Sequence, residues 1–298
     1  MALHRIELAD LLAQRQHAGS VDLASRRRVF TDLAGTHLSG FRGRGMEFEE
    51  HRRYVPGDEI RSIDWRVTAR TGHTHVRNYR EERERPVILA CDLRAPMWFG
   101  SQGCFKAVLA ARVAARFAWA ASANGDRVGG LCLHAQHSES RPASGQRGVM
   151  RLFRLLCDAP PAAAQMPPLS QLIEELRRIA RPGALIVVIG DFHDLDSRGQ
   201  QGLSMIGRHC ELILGLVSDP LERQAPRPGL YPTRASDGKT AILNARDGHT
   251  RERWSRQFAQ RQEQVRALAY ACRAQYLDLR TEDGPDGAFA QPSRRRAG

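Results

Sequence analysis

From residue 86 onward, short apolar runs alternate with longer stretches of helical period. Val87–Cys91 is a brief β-branched run between Pro86 and Asp92, which predicts a buried strand. Cys104–Ala121 then sets Phe105, Val108, Leu109, Val113, Phe117 and Ala120 at helical spacing. Asn124-Gly125-Asp126 closes that helix, since Asn and Gly tolerate the left-handed backbone at a helix end. The alternation continues with a strand at Arg127–Leu133, helices at Val149–Leu156 and Leu169–Ile179, and a strand at Ala184–Ile189. A polar helix near Ser197–Arg208, a strand at Glu211–Val217, a long helix at Trp254–Arg273 and a strand at Ala274–Leu279 complete it. Ala159–Pro168 and Pro220–Pro232 read as proline-rich connections. Such alternation predicts an α/β fold, a doubly wound, mainly parallel sheet with helices on both faces.

Ahead of residue 86 the pattern changes. Glu7–His17 reads as a short amphipathic helix with Leu8, Leu11 and Leu12 on one side, and Ser25–Leu38 as a second helix. Gly40–Gly45 interrupts regular structure, and Tyr54–Asp58 (YVPGD) is a turn, because Pro fixes one φ and Gly frees the next. Arg61–Arg66 and His73–Tyr79 alternate as short strands would. The expected organisation is a helical segment over 1–38, a charged β-rich module over 39–85, the α/β domain over 86–280 and a disordered tail over 281–298.

Composition narrows the class. The chain has 298 residues, 42% of them hydrophobic, which is enough for a sizeable core. No apolar run approaches the roughly 20 residues that cross a bilayer. The opening MALHRIELADLLAQRQ has no apolar signal core, so a cytoplasmic location and no membrane span are expected. Cys91, Cys104, Cys132, Cys157, Cys210 and Cys272 form no CxxC pair and read as core thiols. The net charge of +12 invites a nucleic-acid reading. Lys106 and Lys239 are the only lysines, however, and arginine is interleaved with acid through 47–85, as on a solvated, ion-paired surface. The purest basic patches are Arg26–Arg28 and Arg294–Arg296, and a nucleic-acid-binding protein stays as the alternative function.

Candidate chemistry sits where strands end. Two predicted strands finish on an acid, Asp92 and Asp191, at the carboxyl edge where open α/β sheets place their ligands. Paired carboxylates can hold a hard cation such as Mg²⁺, although an aspartate in that position also caps the loop or helix that follows. His51, His73, His75 and His193 could serve as general bases in principle, but their polar neighbours read as surface or loop. No GxxxxGK[ST] loop or GxSxG elbow is present, and no lysine stands near Pro56–Asp58 as a metal-dependent nuclease would require. No catalytic residue is assigned, and no enzyme activity is expected.

The segment RGRGMEFEEHRRYVPGDEIRSIDWRVTARTGHTHVRNYREE, followed by VILACDLRAPMWFGS and an alanine-rich helix carrying Lys106, resembles the DUF58 family over most of the chain. That resemblance implies a von Willebrand factor A-like (vWA-like, Rossmann-like) domain and a partnership with MoxR-type AAA+ ATPases or other vWA-domain proteins. It also implies comparison with the vWA metal site, D-x-S-x-S. Here the corresponding run is Asp92-Leu93-Arg94-Ala95-Pro96, so both metal-binding hydroxyls are missing. Arg94 brings a fixed positive charge that can pair with Asp92 and Asp191, and no Mg²⁺ or other cofactor is expected. Ser101 has the wrong spacing to compensate; Asp194 and Ser144 are the remaining candidates for the other ligand positions. In GDEIRSIDW, Glu47, Asp58, Asp64 and Arg61 form a charged docking surface with Trp65 as its apolar anchor, or Arg61 pairs with Asp58 in a fixed turn while Trp65 packs the small module onto the α/β core. The functional expectation is a non-enzymatic adaptor or regulator of a MoxR-type ATPase, docking through Arg94 and the GDEIRSIDW residues.

Overall fold

The computed structural model describes residues 3–21, 23, 46–54, 63–81, 84–134, 137–159, 166–234 and 240–289. Two compact units emerge, one joining Met1–Ala24 to Arg85–Gly298 and the other comprising Ser25–Glu84. The expected helix over 25–38 and the YVPGD turn lie outside the described residues.

At the N-terminus, α1 (Leu8–Ala13) runs into a 3₁₀ turn over Gln14–Ser20. The inward residues of this segment are Asp10 and Leu11 on α1 and Gln14 opening the turn, whereas Leu8 and Leu12 are exposed. The expected leucine face is therefore rotated. The surface it covers presents Arg112 and Arg116, so polar partners on α1 are drawn inward to meet them.

Within the Ser25–Glu84 unit, β1 (Met46–Arg53) pairs antiparallel with β2 (His75–Glu81), with a register shift between Phe48 and Glu50. Between them lies α2 (Trp65–Thr71), not the strand expected over Arg61–Arg66. Asp64 decides this locally, because its carboxylate accepts the amides of Arg66 (3.0 Å) and Val67 (3.2 Å) and so caps a helix. Gly72, at φ 73°, ends that helix.

The larger unit is built on β3 (Pro86–Asp92), α3 (Lys106–Ala123), β4 (Arg127–Leu133), β5 (His137–Ser144) and α4 (Gly145–Cys157). It continues through α5 (Leu169–Ile179), β6 (Leu185–Gly190), α6 (Ser197–Gly207) and β7 (Glu211–Ser218). After a short α7 (Pro220–Arg223) and a separate hairpin of β8 (Leu230–Arg234) and β9 (Thr240–Asn244), α8 (Gly248–Ala271) leads to β10 (Gln275–Arg280). The sheet order is β10-β7-β6-β3-β4-β5, all parallel except β5. This is the expected α/β class, with helices on both faces of a mainly parallel sheet.

Strand alternation divides the core into two layers. Val87, Leu89 and Cys91 face α3 and α4, while Ile88 and Ala90 face α5, α6 and α8. Burial on both faces explains why these strands read as continuous apolar runs. Five of the six cysteines are buried, as core thiols should be. Burial pushes the Cys91 thiol up to about 12, with Asp92 adding to the shift, and the Cys210 thiol up to about 11.

Chain order turns at β3. After β3 the chain adds β4 on one side, then crosses to add β6 on the other. The crevice between the carboxyl ends of β3 and β6 is thus the topological switch point.

Candidate functional site

Three neighbouring parallel strands end on a buried aspartate: β3 on Asp92, β6 one residue before Asp191, and β7 one residue before Asp219. Their exposures are 1%, 1% and 0%, so each needs compensation from the protein. Asp92 and Asp191 come close because residue 190 is glycine. A Cβ there would lie 2.9 Å from the Asp92 Cβ.

Asp92 is met by Arg94. The Arg94 amide donates to Asp92 Oδ1 (3.0 Å), Nε donates to the same oxygen (2.9 Å), and Nη2 donates to Oδ2 (2.8 Å). The remaining guanidinium donors reach Asp194 Oδ2 (2.6 Å), Asp194 Oδ1 (2.8 Å) and the Pro167 carbonyl (2.9 Å). All five guanidinium N–H groups are thereby used. Burial pushes the Asp92 carboxyl upward, against the pull of the Arg94 bonds and charge. Asp194 is held below the usual carboxylate range, since Arg94 and His193 outweigh its burial.

Asp191 is met by a different cation. Lys106, the first residue of α3, donates from Nζ to Asp191 Oδ2 (2.9 Å) and to Glu222 Oε1 (2.7 Å). Its side chain is 1% exposed, and the two acids outweigh burial to raise its pKa. His193 approaches the other oxygen, with Nδ1 2.8 Å from Asp191 Oδ1, while its amide donates to that oxygen at 3.2 Å. Although burial opposes ionisation, Lys106 and His193 together hold Asp191 well below the usual range. Phe192 sits between them at φ 51°, a left-handed backbone that aromatic residues rarely adopt. That local strain brings the His193 amide back onto Asp191.

Asp219 has no cation on it among the described residues. It accepts from the Ser101 amide (2.7 Å), Ser101 Oγ (2.5 Å), Thr281 Oγ1 (2.9 Å) and the Leu221 amide (3.0 Å), which hold it low despite burial. Glu222 completes a capping box by accepting the Asp219 amide (3.1 Å). Asp92, Arg94, Asp194, His193, Asp191, Lys106 and Glu222 thus form one chain of charged contacts across the tips of β3, β6 and β7. The link from His193 Nδ1 to Asp194 Oδ1 is the loosest, at 3.7 Å.

Several sequence expectations change. Arg94 bonds Asp92 and Asp194 but not Asp191, whose position is served by Lys106. Pro96 lies in a 3₁₀ turn after β3 and contributes no oxygen. Ser101 faces Asp219 instead of Asp92. Ser144 pairs in register with Arg127, the first residue of β4, and so sits at the opposite edge of the sheet. His193, read as a loop histidine, is 30% exposed and bonded to Asp191. Among the GDEIRSIDW residues, Asp58 and Arg61 lie outside the described residues. Asp64 caps α2, and Trp65, its first residue, is 66% exposed. Sequence reasoning did not assign Lys106, Glu222 or Asp219 to the site. A lysine opening an alanine-rich helix was the available signal.

Fold and site define an α/β protein whose parallel sheet carries, at its carboxyl edge, strand-end acids closed by internal cations. The family described as protein of unknown function DUF58 matches residues 50–264, and the chain belongs to it. Uncharacterized proteins of Mycobacterium tuberculosis and Mycobacterium bovis are each 30% identical over 265 residues, covering 88% of this chain and 83% of theirs. The crystal structure of BatB, a conserved hypothetical protein from Bacteroides thetaiotaomicron, superposes with a TM-score of 0.46 at 16% identity. That match covers 66% of this chain and 90% of BatB.

Proposed function

We propose that the protein is a non-enzymatic adaptor or regulatory partner of a MoxR-type AAA+ ATPase, built on a vWA-like domain that works without a metal. The observation that carries this reading is the buried pair of cations, Arg94 and Lys106, on the strand-end acids. A divalent cation needs free carboxylate oxygens. Here both oxygens of Asp92 face Arg94, and those of Asp191 face Lys106 and His193. The donor set therefore does not fit Mg²⁺, and the positive charge a metal would bring is already covalently part of the chain.

Saturation of its five N–H groups also moves Arg94 from a contact residue to a positioning one. The groups left to meet a partner are those at the rim. Asp194 and His193 are each 30% exposed and Glu222 20%. Phe99, in the loop leaving β3, is exposed, and its carbonyl accepts the Lys106 amide (2.9 Å). An aromatic anchor beside polar groups is the composition of an interface centre.

Affinity purification of tagged protein from nuclease-treated lysate, with and without Mg·ATP, tests the partnership, and calorimetric titration of the purified chain with Mg²⁺ or Mn²⁺ tests the metal-free site. Recovery of a MoxR-like ATPase that depends on nucleotide and falls in Phe99→Ala, with no saturable heat from either metal, is the expected result. No ATPase in any condition, or saturable metal binding that is lost in Asp92→Ala, sinks the proposal.

A further inference from the structure

A cleft of about 500 Å³ lies between β5 and the C-terminal half of α4, away from the strand-end acids. Its walls include Arg141 from β5, Arg151 and Arg154 from α4, His134 after β4, and the hydroxyls of Ser138 and Ser140. Arg151 and Arg154 are three residues apart and so share one helix face.

Positive charge is in excess on these walls. Arg141, Arg151 and Arg154 are exposed and make no ion pair with any described residue, in a protein whose other arginines bridge to acids repeatedly. Of the two acids at the cleft, Glu139 is already bonded to Arg178, leaving Asp158. The Oγ of Ser140 is buried without a hydrogen-bond partner among the described residues. Three exposed guanidinium groups without acidic partners on one cleft point to a ligand rich in acceptor oxygens.

We propose that this cleft binds a small molecule carrying at least two phosphate groups, held by Arg141, Arg151 and Arg154. Each guanidinium fork takes two acceptor oxygens, and a single carboxylate has only two to offer three forks, whereas a diphosphate has enough for all of them. The cleft volume suits a small molecule, and Leu155 gives it one apolar side. A polynucleotide would instead need a basic track longer than one cleft.

Calorimetric titration of the full chain with pyrophosphate and with inorganic phosphate, at about 50 mM salt to limit screening, tests the assignment. Saturable 1:1 binding, tighter for pyrophosphate, is expected. Arg151→Ala with Arg154→Ala should weaken it by about tenfold or more, leaving the thermal midpoint near wild type because both side chains are exposed. Arg94 and Lys106 lie elsewhere, so the result is independent of the ATPase proposal. No heat at millimolar pyrophosphate, or unchanged affinity in the double variant, overturns the assignment. A single-stranded oligonucleotide bound more tightly than pyrophosphate, with several salt-released ions, overturns it in favour of a nucleic-acid surface.

Discussion

At the scale of single residues, the site illustrates how expensive charges become tolerable. Lys106 stands at a helix N-terminus, where the backbone dipole disfavours a cation, and is nearly inaccessible to water. It persists because Asp191 and Glu222 both accept from it. Lys106→Met should therefore cost about 3–5 kcal/mol by leaving Asp191 buried and short of a partner. Adding Asp191→Asn should recover part of that loss, so that urea unfolding of the two single variants and the double shows strong non-additivity. His193 supplies a pH signature. Burial favours its neutral ring, but Asp191 and Asp194 outweigh this and raise its pKa above the ordinary value. A base with a raised folded pKa contributes fully below its unfolded value, about 6.5, and the contribution disappears as pH rises through the folded value. Urea midpoints of the wild type should therefore decline relative to His193→Gln as pH climbs from about 6 to 9. Asp191 and Asp194, held low, act at the other end: their contribution is present above the ordinary carboxylate range and is lost on acidification.

At the scale of elements, what could be read from sequence follows burial. Strands β3, β6 and β7 were legible because both their faces are apolar, and Asp92 and Asp191 were legible with the first two, whereas Asp219 after β7 was not assigned. β5 was not. Its sequence, HSESRPAS, is polar and contains Pro142, which suits an edge strand that need not donate on its open side. The connection expected over Pro220–Pro232 hides α7, whose capping box is a local signal, and the start of β8. The long helix begins at Gly248, six residues before its first apolar residue, because Asp247 caps it through the amides of His249 and Thr250. The partners of Lys106 were illegible for a different reason. Asp191 and Glu222 lie 85 and 116 residues away, and no local pattern encodes a contact of that range. Asp92 and Asp191 could be found from sequence, but which cation closes each of them could not.

At the scale of the whole molecule, the α/β unit is discontinuous in sequence. Met1–Ala24 belongs with Arg85–Gly298, and Ser25–Glu84 forms a unit of its own. Replacing residues 25–84 by a flexible linker should therefore leave a protein with a single cooperative unfolding transition and native α/β circular dichroism; loss of that cooperativity would show that the inserted unit is needed for the fold. The N-terminal segment is tied to α3 by Asp10 to Arg112 (2.6 Å), Gln14 to Arg116 (2.8 Å) and the Trp119 indole to the Leu11 carbonyl (3.1 Å).

That docking has a consequence during synthesis. Asp10 leaves the ribosome 102 residues before Arg112, a delay of roughly 5–20 s at ordinary elongation rates of about 5–20 residues per second. Through that interval Leu11 and its neighbours lack the α3 surface that covers them in the folded chain, while Ser25–Glu84 emerges. The nascent chain must hold its first helix in reserve, an exposed apolar handle open to chaperones until α3 arrives to claim it.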